Sequence, residues 1–126
     1  MKVPDDRWYS AEHEWALLEG DGTVRIGISE FAQHELGDVV YVELPKIGAR
    51  VKQKDQMGEI ESVKAVSDLF SPITGEIIEV NDEVKARPEL VNEDPHNGGW
   101  LVRVQPDDAS ELNSLMDAAS YQMQIE

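Results

Sequence analysis

The chain contains no cysteine. Disulfides, zinc–thiolate sites and cysteine nucleophiles are excluded together, so any sulfur chemistry must use sulfur from an attached group. Basic residues are few: 11 Lys and Arg stand against 26 Asp and Glu, a formal net charge of −15. Nucleic-acid affinity depends on Lys and Arg displacing counterions from phosphates, so that class of ligand is excluded. An anionic membrane surface repels such a chain for the same reason. No apolar run approaches the roughly 20 residues of a membrane-spanning helix. The opening, Met1-Lys2-Val3-Pro4-Asp5-Asp6, lacks both the apolar stretch of a signal peptide and the Arg-rich, acid-poor character of a transit peptide. A cytoplasmic protein is the expectation.

Catalytic platforms are missing too. No Gly-rich phosphate loop precedes a helix, and no Gly-x-Ser-x-Gly elbow offers a nucleophile. His13, His34 and His96 are scattered, with no pair at metal-ligand spacing, and each reads as a surface or packing residue. Carboxylate pairs abound, but in so acidic a chain their pairing carries no information. Neither a metal site nor an enzyme is expected. The acidic surface favours basic faces on partner proteins, or it simply keeps the protein soluble.

What is present is a series of short β-patterned runs, in a chain of 126 residues that fits one domain. His13 to Leu18 and Thr23 to Ile28 flank the hairpin loop Glu19-Gly20-Asp21-Gly22. Ser29 caps a short helix through Leu36, which Gly37 terminates. Val39 to Leu44 follows, stopped by Pro45; then come Met57 to Ser62, Val66 to Phe70, Gly75 to Val80 and Trp100 to Gln105. The core spans about residues 8–105. Leu112, Leu115 and Met116 form the stripe of an amphipathic helix over Asp107 to Asp117, extending to about residue 121. Gly37-Asp38-Val39-Val40-Tyr41-Val42 is echoed by Gly75-Glu76-Ile77-Ile78-Glu79-Val80, and Val51-Lys52 by Val84-Lys85. Two such β units suggest a mainly β domain of two halves packed face to face, a flattened barrel or sandwich.

One segment remains as a candidate for chemistry: Glu59 to Pro72, in which Lys64 sits between Val63 and Ala65 with β-patterned runs on either side. At the tip of a tight strand connection the amine projects clear of the domain and can be acylated to a stable amide. Val63-Lys64-Ala65 lacks the Asn-Gly or Asp-Gly signature of a hairpin turn, and from the pattern alone a solvated turn lysine is the favoured reading.

The segment Glu61-Ser62-Val63-Lys64-Ala65-Val66-Ser67-Asp68 closely resembles the lipoylation motif of the glycine cleavage system H proteins. The likeness extends through His13-Glu14-Trp15, Gly27-Ile28, Leu36-Gly37-Asp38, Tyr41-Val42-Glu43-Leu44-Pro45, Pro88, Leu90-Val91-Asn92, Pro95 and Gly99-Trp100. It implies a lipoyl-type barrel-sandwich hybrid of two small sheets with short flanking helices. It also implies lipoic acid joined as an amide to Lys64, with Glu61 and Gly75 helping lipoyl-attaching enzymes to recognise the hairpin. The implied function is a carrier, not an enzyme. It shuttles the aminomethyl group of glycine from the pyridoxal-phosphate-dependent glycine decarboxylase to the tetrahydrofolate-dependent aminomethyltransferase, and dihydrolipoamide dehydrogenase reoxidises the arm.

Departures from the family pattern lie at Lys54-Asp55, where Gly-Asp is usual, and at Phe70 and His96, where Tyr is usual. The first bears on a turn, because Lys tolerates positive φ less readily than Gly. A loaded arm carries a protonated amine that a carboxylate can hold. Glu14 and Asp68 are the candidates for docking it, with solvated surface carboxylates as the competing reading. The rival functions are a lipoyl donor or relay serving other enzymes, a lipoyl domain of a 2-oxoacid dehydrogenase, and a biotin carrier. The second lacks its linkers here, and the third normally flanks its lysine with methionines.

Overall fold

The computed structural model describes residues 1–126. Nine strands form two antiparallel sheets. The larger runs in the order β1 (Trp8–Tyr9), β2 (Glu14–Leu18), β3 (Val24–Ile28), β9 (Val102–Pro106), β8 (Gly75–Val80) and β5 (Arg50–Val51). The smaller consists of β4 (Val39–Glu43), β6 (Gln56–Ser62) and β7 (Val66–Phe70). Between them lies a core of 19 buried residues, among them Ile26, Ile60, Leu69, Ile77 and Val104. The inward side chains come mainly from aliphatic strand positions, as face-to-face sheet packing requires.

The internal echo is divided between the layers. Val39–Glu43 lies in the small sheet and Gly75–Val80 in the large one. Its second part has no structural counterpart, because Val51 is in strand β5 whereas Val84 is in a helix, α2 (Asp82–Ala86).

The β2–β3 loop closes as its residues dictate. Gly22 takes φ +87°, and the Asp21 carboxylate accepts from both the amide and the hydroxyl of Thr23. Helix α1 (Glu30–Leu36) begins at Ser29, whose hydroxyl accepts from Ala32 N, and ends at Gly37 with φ +79°. Trp15 pairs across the sheet with Gly27, and its ring occupies the space a side chain would take there. Its indole N–H donates to the carbonyls of Ile28 and Pro95, each at 3.0 Å. Arg7 stacks over the same ring at 4.6 Å. Three separated parts of the chain, at Arg7, Gly27-Ile28 and Pro95, are thereby gathered around one indole.

The C-terminal segment differs from the helix expected over about 107–121. A 3-10 turn over Ala109–Ser114 buries Leu112, and then the chain extends at Leu115 (ψ 171°). Met116 pairs with Tyr9 through two backbone hydrogen bonds of 2.8 Å. Asp117 then caps a separate helix, α4 (Ala118–Ile125). Pairing with β1 takes precedence over the helical period of Leu112, Leu115 and Met116. α2 and α3 (Leu90–Glu93) also form where the sequence pattern gave no helix. No helix is long and apolar enough to cross a membrane.

Candidate functional site

Lys64 occupies the tip of the β6–β7 hairpin, exposed to solvent. The turn needs no residue at positive φ, which is why Val63 and Lys64 can form it without Asn or Gly. Ser62 supplies the missing closure. Its amide donates to Ala65 O at 2.8 Å, and its hydroxyl accepts from Lys64 N at 3.2 Å and Ala65 N at 3.1 Å. A side-chain oxygen thus does the work of the usual turn carbonyl. Val63 N donates to Asp38 O at 3.0 Å, tying the tip to the entry of β4.

The lysine stem lies over Gly37, where an added Cβ would come within 3.2 Å of Lys64 Cε. Gly37 is held in turn by Asn92 of α3. The Asn92 amide donates to Gly37 O at 2.9 Å and to Gln33 Oε1 at 3.0 Å, while its oxygen accepts from Val39 N at 2.8 Å. Beside it, a bulge in β4 between Val39 and Tyr41 breaks the register with β6. Val40 and Tyr41 are both left exposed, as are Val63 and Val66 of the hairpin.

A cleft of about 350 Å³ opens beside the hairpin, between β7, α1 and the start of β2. Ile28, Phe31, Leu36, Ile60 and Leu69 give it an apolar lining, and Glu12, Glu14, Glu35 and Asp68 supply carboxylates. Both proposed docking carboxylates therefore border one cleft. Their environments differ. Asp68 is exposed on the edge strand, where Gln56 Nε2 donates to it at 3.0 Å. Glu14 is only 2% exposed, so the solvated-surface reading does not hold for it. Ser10 Oγ and Phe70 N donate to its two oxygens, but burial outweighs them and pushes its pKa up to about 8. Glu12, Glu35 and His13 also line the cleft; the sequence offered none of them as a site residue and read His13 as a surface or packing histidine. His13 sits at φ +74°, in the left-handed region that non-glycine residues rarely adopt.

The sequence model of the glycine cleavage H-proteins matches residues 7–126. The chain belongs to this family. A glycine cleavage system H protein of Anaeromyxobacter sp. (strain K) is 51% identical over 126 residues, all of this chain and 98% of the relative. One from Bacillus subtilis (strain 168) is 50% identical over 122 residues, 97% of this chain and 95% of the relative. The crystal structure of a glycine cleavage system H protein from Mycobacterium marinum superposes with a TM-score of 0.88 at 42% identity. It covers 97% of this chain and 98% of that one. The fold is the lipoyl-type barrel-sandwich hybrid of this H-protein family.

The two residues linked by resemblance to hairpin recognition have different places. Glu61 is exposed on β6, in register with Tyr41 on one side and Val66 on the other. Gly75 does not sit at the hairpin tip. It begins β8, beyond the far end of β7, where an added Cβ would come 2.2 Å from Gln105 O. Its evident task is to let β8 approach β9. Of the other departures, Lys54 adopts φ +77°, the geometry a glycine would take more readily. His96 is buried, accepting from Glu30 N at 3.3 Å through Nε2, while its carbonyl accepts from Arg7. No three His, Asp or Glu side chains converge where a metal ion would sit.

Proposed function

We propose that Lys64 carries lipoic acid as an amide and that the chain serves the glycine cleavage system as a mobile carrier of the aminomethyl group of glycine. The observation that carries this reading is the juxtaposition of a solvent-projected lysine with an apolar, acid-rimmed cleft at the foot of its hairpin. The fit is chemical. Apolar side chains suit a hydrocarbon arm, the carboxylates suit a terminal ammonium, and the cysteine-free chain supplies no competing thiol.

Attached at Lys64, a lipoyl group would supply a redox-active dithiolane as the acceptor of the aminomethyl group, and the cleft residues would hold its arm. The chain's own residues do the rest. The Ser62-closed turn presents the lysine at the hairpin tip, so that an arm attached there would hold its reactive sulfur at roughly millimolar effective concentration for a docked active site. Ile28, Phe31 and Leu36 offer an apolar wall against which a docked hydrocarbon arm would displace water. Glu14 is largely protonated at pH 7 in the free protein, its pKa being about 8. An ammonium within hydrogen-bond reach favours the carboxylate, so cation docking expels the Glu14 proton and forms a charge-assisted bond. The partners are glycine decarboxylase, the aminomethyltransferase, dihydrolipoamide dehydrogenase and the enzymes that attach the lipoyl group. The exposed Val40, Tyr41, Val63 and Val66 provide apolar contact next to the reactive tip.

Intact mass with peptide mapping of protein from its native host is expected to locate one lipoyl group on Lys64. Lys64→Arg keeps the charge but cannot form the stable amide. It is expected to fold normally and to support no glycine cleavage in a reconstituted system. An unmodified Lys64 in active native protein, or turnover by the Arg variant, would overturn the assignment.

A further inference from the structure

Tyr121 reaches from α4 to both walls of the cleft. Its ring stacks on Tyr9 with centroids 4.5 Å apart and planes 4° from parallel. Its hydroxyl lies 2.8 Å from His13 Nδ1 and 2.6 Å from Ser29 Oγ. His13 forms one wall, where its ring meets Phe31 at 4.9 Å. Ser29 caps α1, which forms the other.

The direction of this hydrogen-bond chain is set at one end. Ala32 N–H is an obligate donor and bonds Ser29 Oγ at 3.1 Å. Ser29 is 2% exposed, and the Tyr121 hydroxyl is the other partner of its side chain. Were Tyr121 to donate to Ser29, the serine proton would be stranded in the interior, a costly arrangement. Ser29 therefore donates to Tyr121, and Tyr121 donates to His13 Nδ1. His13 then keeps its proton on Nε2.

We propose that Tyr121 is a positioning residue of the cleft, its hydroxyl fixing His13 as the Nε2–H tautomer and tying the two walls together. Protonation of His13 would place a second proton on Nδ1, facing the tyrosine proton. The titratable groups around His13 are Glu12 and Glu14 beside it, Glu35 of α1 and Asp68 of β7, of which Glu14 is held largely protonated by burial. Glu12 and Glu35 favour the imidazolium, but burial is the larger influence and lowers the pKa. A His13 kept neutral leaves the carboxylates of Glu12, Glu35 and Asp68 without a neighbouring imidazolium to compete with an incoming cation. This consequence for the arm rests on the carrier reading; the tautomer does not.

The tautomer is read by 15N-edited NMR on the full-length unmodified chain. Wild type is expected to show unprotonated Nδ1 and protonated Nε2 at neutral pH. Tyr121→Phe keeps the stack on Tyr9 but removes the donor, and is expected to give mixed tautomers and an upward shift of the His13 titration midpoint. Ser29→Ala removes the upstream donor and should move both in the same direction should Tyr121→Phe not fold. A protonated Nδ1 in wild type, or unchanged tautomer and midpoint in the variants, would overturn the proposal. In lipoylated, loaded protein without the aminomethyltransferase, Tyr121→Phe is expected to release ammonia and formaldehyde several-fold faster. Unchanged release would overturn the wall-tying role. Intact mass separately reports whether Lys64 carries the arm, so failure of the carrier reading is distinguishable.

Discussion

Glu14 brings a carboxyl into the interior with two donors and no cation, and its pKa of about 8 has a consequence for stability. Below the ordinary carboxylate value of 4.5, folded and unfolded chains are both protonated. Between 4.5 and about 8 the folded chain retains a proton that the unfolded one has lost, so stability falls as pH rises through that window. Glu14→Gln cannot ionise. It is expected to be no more stable than wild type at pH 5 but more stable at pH 9, by ~5 °C or more in Tm at roughly 3–5 °C per kcal/mol. Parallel Tm–pH curves for the two proteins would show that Glu14 is ionised in the fold. Neither this burial nor the His13 strain was legible in the sequence. Alternation along β2 would expose every second residue, yet Glu14, Trp15 and Ala16 are all buried. The main core covers Ala16, Tyr9 and Tyr121 cover Trp15, and the cleft takes Glu14. The strands on either side of Lys64 were legible from their β pattern, but the turn between them was not, because a Ser62-closed turn has no general sequence signature.

At the scale of elements, α1 was readable to the residue because its stop signals are local: a serine hydroxyl at one end and a left-handed glycine at the other. The C-terminal helix was not, because what interrupts it is distant. Tyr9 claims the backbone of Met116, and no periodicity within the segment reports that. α3 shows the converse, a helix too short to carry a pattern that nonetheless holds the lysine's surroundings through Asn92. Asn92→Ala would leave Val39 N–H and Gly37 C=O without their partners, an expected loss of ~1–3 kcal/mol. The urea midpoint should drop without a change in slope. Amide exchange should quicken at Val39 and at Val63, whose bond to Asp38 anchors the hairpin to the same segment. A midpoint matching wild type would mean that water replaces the side chain.

For the molecule as a whole, the charge of −15 takes on a geometry that the composition did not convey. Glu43, Glu59 and Asp68 stand in register across the small sheet, like charges directly opposed on neighbouring strands. Such an arrangement costs stability and suits a basic face on a docking protein. Salt should therefore act in opposite senses on the two properties. Between 0.1 and 1 M the Debye length falls from ~10 Å to ~3 Å. Tm is expected to rise over that range while the apparent Michaelis constant for this chain as co-substrate also rises. A constant that stays flat would remove electrostatic steering from the account. The two-sheet architecture was visible in the first internal echo, since each copy of the Gly–acid–apolar unit marks a strand of a different layer. The second echo misled because Val-Lys is too short to distinguish a strand from a helix.

The tie made by Tyr121 also bears on the order of folding. Ser29 and His13 lie 92 and 108 positions from it, so the brace between the cleft walls is a long-range contact whose loop-closure entropy is lost before the contact rewards it. The β6–β7 hairpin that carries Lys64 pairs neighbouring strands across a short turn and closes at far smaller entropic cost. Hairpin and cleft brace therefore form at different stages, the lysine's perch before the tie.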